Sequence, residues 1–117
     1  MKTLFARLPG IEQQRAQSGK LYREFLRVPA MSAGLYVLPA GGTDPQKPHR
    51  EDEMYYVLRG RARFKAGTGN DNDNDNDNED REVSAGSVIF VAAEVEHRFY
   101  DVAEELAVLV FFAPAES

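Results

Sequence analysis

No cysteine occurs among the 117 residues, so the chain can build neither a disulfide nor a thiolate metal site. That absence suits a reducing compartment, and a cytoplasmic location is expected. Long apolar runs are missing too: the longest, Leu106 to Pro114, falls well short of the ~20 residues that a membrane span needs. The opening MKTLFARLPGIEQQRAQSG has no apolar stretch of signal-peptide length, and Pro9 and Gly10 interrupt it. No membrane partner is expected. A basic excess is also lacking. The net charge is −5, but Asp71, Asp73, Asp75, Asp77, Glu79 and Asp80 account for six negative charges, leaving the rest of the chain at +1. Nothing in that balance favours nucleic acid as a partner.

An apolar content of 43% and a mean hydropathy of −0.47 describe an ordinary soluble protein of one domain. Helical signals are sparse. Ile11 to Gln17 reads as a turn or two, stopped by Gly19. Thereafter short runs of β-formers alternate with turn residues: Leu21–Val28, Leu35–Leu38, Met54–Leu58, Arg61–Lys65, Arg81–Val83, Ser87–Ala92, His97–Tyr100 and Leu106–Phe112. Arg59-Gly60 reads as a tight turn. Roughly eight or nine short strands suit an all-β jelly roll or small barrel. The expected division is an irregular or helical segment over residues 1–20 and a barrel over 21–114, with a disordered acidic loop at 70–80. That loop, NDNDNDNDNED, has nothing to bury and favours turns. Its alternating acids fall at calcium-loop positions, with Glu82 as the last, but Asn76 replaces the turn glycine and strands flank it. A solvated hairpin tip is the expectation.

Histidine is scarce, which makes its placement informative: His49 and His97 are the only two. A strand around Glu53 should point Glu53, Tyr55 and Val57 to one face and Met54, Tyr56 and Leu58 to the other. His49 lies one short turn upstream, near the same cavity. His97 enters its own strand after SVIFVAAEVE, and a barrel can bring such distant segments face to face. Taken alone, a histidine beside a proline in a polar loop is most often a surface residue. Together with Glu53 and His97 it completes two imidazoles and one carboxylate, a set suited to Fe(II), Mn(II), Ni(II), Zn(II) or Co(II). Three protein ligands leave open positions for water, substrate or oxygen.

Two stretches resemble the paired motifs of the cupin superfamily. His49, Glu53 and Gly60 match G-x5-H-x-H-x3,4-E-x6-G. Gly86, His97 and the residues between them match the spacing of G-x5-P-x-G-x2-H-x3-N. The departures are Lys47 for the first histidine, Ala92 for proline, Glu94 for glycine and Asp101 for the final asparagine. The chain is similar to small, single-domain conserved-barrel cupins, and the resemblance implies a double-stranded β-helix, or jelly-roll, barrel. It also implies a metal held by His49, Glu53 and His97, with one usual ligand replaced by Lys47. A lysine ammonium is repelled by a divalent cation and should point outward or sit at the mouth. Pro48 breaks regular pairing there, so Gln46 is the expected fourth ligand; Asp44, Glu51 and an open coordination position are the alternatives. Tyr55 is the expected catalytic residue, orienting substrate or moving a proton.

The implied function is that of a metal-binding cupin, an enzyme acting on a small oxygen-rich organic molecule by dioxygenase, isomerase or lyase chemistry. The alternative is a non-catalytic module that binds or senses a small ligand. The alternating N-terminal strands suggest a barrel edge that pairs two copies into a homodimer.

Overall fold

The helix starts ahead of Pro9 and Gly10 rather than after them. In the computed structural model, which describes residues 2–45, 48–67 and 78–117, helix α1 runs Leu8–Ser18 with Pro9 in its first turn. Proline costs nothing there, because that turn's N–H groups have no partner within the helix. Gly19 closes the helix in the left-handed conformation, its N–H bonded to the Ala16 carbonyl. No helix among the described residues is long and apolar enough to cross a membrane.

Six strands follow: β1 (Tyr22–Val28), β2 (Met31–Leu38), β3 (Asp52–Ala66), β4 (Glu79–Ser84), β5 (Val88–Val91) and β6 (His97–Ala113). They pair antiparallel in the order β1-β2-β6-β3-β4, with β5 beside the first half of β3 on the edge away from β6. The count is lower than the sequence suggests because two long strands each absorb two expected ones. β3 runs through Arg59-Gly60, which is a bend rather than a hairpin turn, and β6 joins HRFY to LAVLVFF through Asp101. The β3–β6 ladder slips between Val57 and Arg63, where the strands curl from one wall of the barrel into the other. Of the expected acidic loop, Glu79 and Asp80 belong to β4. The Asp80 carboxylate accepts hydrogen bonds from the Tyr100 hydroxyl at 2.6 Å and Arg63 Nε at 3.2 Å. Residues 68–77 lie outside the described residues, and with them most of the calcium-loop positions.

The alternation read from the sequence holds through the first half of β3. Glu53, Tyr55 and Val57 are buried while Met54 and Tyr56 are exposed. The inner faces of β2, β3 and β6 supply Leu38, Tyr55, Val57, Phe64, Phe99 and Val108 to the barrel core. On the outside of the sheet, Ile11 of α1 packs with Leu35, Val37 and Ala107. Arg59 ties the helix down by pairing with Glu12 on one side and Glu105 on the other.

Five positions of the paired motifs have positive φ: Gly41 (+73°), Gly60 (+94°), Gly86 (+93°), Glu94 (+70°) and Asp101 (+47°). Glu94 thus adopts the conformation of the motif glycine it replaces. Asp101 replaces an asparagine with another residue that tolerates the left-handed region. Gly60 has a second constraint, since a Cβ there would collide with the Glu105 carbonyl oxygen of β6. Gly60→Ala is therefore expected to lower unfolding free energy by about 2 kcal/mol or more, read from the denaturant midpoint. Glu94→Gly should act in the opposite direction, relieving about 1 kcal/mol of backbone strain and raising the melting temperature by calorimetry.

Candidate metal centre

Three separate segments converge inside the barrel. Glu53 is the second residue of β3, facing inward between Val91 of β5 and Phe112 of β6. His97 opens β6. His49 lies in the connection from β2 to β3, where its carbonyl accepts the Glu94 N–H at 2.7 Å. That bond joins the loops of the two motifs directly. One ligand atom from each of His49, Glu53 and His97 lies within 4.8 Å of the others.

Hydrogen bonding sets the His97 ring. Nδ1 is 2.9 Å from the Val95 carbonyl, which can only accept, so Nδ1 carries a proton. Nε2 is then turned toward Glu53 Oε1 at 2.8 Å and the Tyr55 hydroxyl at 3.1 Å. Burial pushes the His97 pKa down, but the Glu53 carboxylate and the Val95 carbonyl outweigh it and leave the value raised.

Glu53 is 2% exposed, yet neither carboxylate oxygen makes a hydrogen bond among the described residues. The 2.8 Å contact with His97 is close without hydrogen-bond alignment. Burying a charge in this way is costly unless something positive faces it. The donor set fits a divalent transition metal. With metal–ligand bonds of about 2.1 Å, neighbouring donors lie about 3 Å apart, the spacing His97 and Glu53 already have. His49 Nε2, 3.9 Å from Glu53 Oε1, has to close by roughly 1 Å to reach the same spacing.

The His49 ring is set by a residue that sequence reasoning missed. Glu116 Oε2 lies 3.4 Å from His49 Nδ1, an arrangement that favours a proton on Nδ1 and frees Nε2 for a metal. Glu116 is carried there by the last residues of the chain. The Glu116 N–H donates to Ser32 Oγ at 2.9 Å, and its carbonyl accepts from Arg27 Nη2 at 2.7 Å. Burial raises the Glu116 pKa; His49 opposes that shift, while Glu53, Glu51 and Glu24 add to it.

The other expected residues are distributed differently. Tyr55 is fully buried, with its hydroxyl at His97. Asp44 turns inward as the sequence allowed, but as a brace: its carboxylate accepts from the Tyr36 hydroxyl at 2.6 Å and the Phe99 N–H at 3.0 Å. Glu51 is buried apart from the three-residue group and accepts the Ser117 N–H at 3.3 Å. Gln46 and Lys47 lie outside the described residues. Beside His49 and Glu53 a cavity of about 140 Å³ is walled by Tyr22, Tyr36, Val110 and Phe112, with Glu116 at its margin. Two larger concavities, of about 470 and 720 Å³, touch none of the three grouped residues. Tyr22 carries no motif signal in the sequence. Only its inward phase on β1, shared with Glu24, could have pointed to it.

The cupin domain family matches residues 34–113 of this chain. An uncharacterized protein of Streptomyces coelicolor is 45% identical over 111 residues, covering 95% of this chain and 96% of its own. A Bacillus halodurans crystal structure superposes with a TM-score of 0.73 at 20% identity, over 94% of this chain and 80% of that one. An RmlC-like cupin with a double-stranded β-helix fold from Methanocaldococcus jannaschii gives 0.64 at 16% identity, over 80% and 78%. The barrel is therefore the jelly roll that the strand pattern suggested, and the chain belongs to the cupin family.

Proposed function

We propose that this cupin is a metal-dependent enzyme acting on a small, oxygen-rich organic molecule. His49, Glu53 and His97 hold one divalent transition metal (Fe, Mn, Ni, Zn or Co). The observation that carries this reading is the Glu53 carboxylate, buried without a hydrogen bond beside two imidazoles whose outer nitrogens face oxygen atoms. When bound, the metal supplies Lewis acidity toward substrate oxygens. Gln46 is the fourth ligand in this reading, on the strength of its place in the sequence beside Lys47. Tyr55 is the catalytic residue in this reading: its hydroxyl, 3.1 Å from His97 Nε2, supports a role in holding or moving a proton beside the metal.

Protein expressed without added metals should contain about one equivalent of a transition metal by inductively coupled plasma analysis. His97→Ala should lose that metal while keeping the circular dichroism of the parent. Unchanged metal content in the variant would sink the assignment. Turnover across a panel of small oxygenated substrates, with oxygen uptake recorded, separates the enzyme from a ligand-capturing module; tight binding without turnover would favour the latter.

We also propose a homodimer, formed by the outer face of β3 and β5. Met54 stands opposite Phe90 and Tyr56 opposite Val88. All four are exposed, Val88 and Phe90 each by 65%. A contiguous apolar ladder of this kind marks an interaction surface. The β1 edge suggested by the sequence instead carries exposed Arg23 and Arg27. Light scattering should give twice the 13.1 kDa chain mass, reduced to the monomer by Tyr56→Glu with Phe90→Glu. A monomeric parent protein would refute the dimer.

A further inference from the structure

Three buried side-chain polar atoms lack a hydrogen bond among the described residues: both Glu53 carboxylate oxygens and the Tyr22 hydroxyl. All three belong to residues lining the same cavity of about 140 Å³. Native proteins rarely leave such atoms unpaired, because a buried donor or acceptor without a partner loses its hydration for nothing. Glu53 is explained by a cation. Tyr22 is not: a neutral phenol hydroxyl can donate and accept, and its O–H proton is the group that goes unmet, so an acceptor is the partner that would satisfy it.

The chain makes room for this hydroxyl. Tyr22 on β1 lies across Gly34 of β2, and any Cβ at Gly34 would overlap the end of the tyrosine ring and its oxygen. Burial, together with Glu116, Glu24 and Glu53, pushes the Tyr22 pKa up, so the group remains a neutral donor at physiological pH. The neighbouring Tyr36 hydroxyl is committed to Asp44. Among the described residues, none of the side chains lining the cavity is a lysine or arginine, while Glu53 and Glu116 both border it. That wall disfavours a multiply charged anion as the acceptor. A cavity of about 150 Å³ holds benzene, so the space admits a group of roughly six non-hydrogen atoms.

We propose that Tyr22 is a ligand-positioning residue, donating a hydrogen bond to an uncharged oxygen, carbonyl or hydroxyl, of a compact molecule whose other oxygen reaches the metal. This rests on the metal reading above, and the test separates the two. The probe is acetohydroxamic acid, uncharged in solution and able to coordinate a metal as the singly charged hydroxamate once its N-hydroxyl proton is released to solvent, titrated into cobalt-loaded protein and followed by the visible cobalt bands.

Tyr22→Phe should bind cobalt as the parent does and bind acetohydroxamic acid roughly five- to tenfold more weakly, as loss of one hydrogen bond implies. Its metal-free form should melt at the same temperature as the parent or higher, since an unpaired buried hydroxyl has been removed. A purely structural tyrosine would behave the other way, with a lower melting temperature and unchanged affinity. Equal affinity of variant and parent, with cobalt bound by both, overturns the role of Tyr22 and leaves the metal centre standing. No cobalt uptake by the parent overturns the metal centre and the Tyr22 role together. Oxalate, a dianion of six non-hydrogen atoms, should bind the parent more weakly than acetohydroxamic acid; tighter binding would overturn the assignment of an uncharged ligand.

Discussion

A carboxylate shut away from water without a donor to face it is an unstable arrangement on its own, and the interior of this barrel is built around one. Glu53 is held there by the phase of β3, flanked by hydrogen-bonded strands on both sides, so it cannot swing out to solvent without breaking the ladder. The imidazoles of His97 and His49 lie 2.8 and 3.9 Å from one of its oxygens. Each of these has its outer nitrogen engaged, His97 with the Val95 carbonyl and His49 with Glu116. The inner nitrogens are thereby directed at the carboxylate. This polarity suits a cation, which under the proposed function would offset a buried charge that otherwise opposes folding.

The geometry depends on two strands long enough to belong to both walls of the barrel. β3 and β6 bend together where their register slips, and Gly60 lets β6 pass close beside the bend. Beyond it, His97 at the start of β6 comes to lie against Glu53 at the start of β3, although 44 positions separate them in the chain. The loops are then fastened: Asp44 joins the segment after β2 to Phe99, and Glu94 joins the second motif loop to His49. Rigid supports of this kind are what a metal centre needs if its ligands are to stay within bonding range.

Much of this was legible in advance, for local reasons. The two-residue period of a strand is a property of backbone geometry, so Glu53, Tyr55 and Val57 could be assigned to one face without knowing what lay opposite. Motif spacing worked similarly, because turns and strand entries need particular backbone conformations. Glu94 and Asp101 preserve those conformations although the motif residues themselves have changed. Misreadings arose where local and tertiary signals diverge. Arg59-Gly60 resembles a hairpin turn, but its glycine serves contact with β6. Pro9-Gly10 resembles a break ahead of the helix, but proline is acceptable in a first turn and the helix includes both residues. Asp44 resembles a spare ligand, yet its oxygens are taken by Tyr36 and Phe99, donors remote in sequence.

By itself, the sequence determined the strand-rich character, the inward face of β3, and the set His49, Glu53 and His97, since these follow from residue type and short-range spacing. Tertiary structure alone decided that Glu116 would stand behind His49, that the Tyr22 hydroxyl would be buried beside the same cavity, and that Asp44 would become a brace. Each of these depends on a pairing between segments distant in the chain: the final residues against Ser32 and Arg27, β1 against Gly34, the β2–β3 connection against β6. No periodicity records such contacts. They arise only when the sheet closes and the chain satisfies, or leaves unsatisfied, the polar groups it has enclosed.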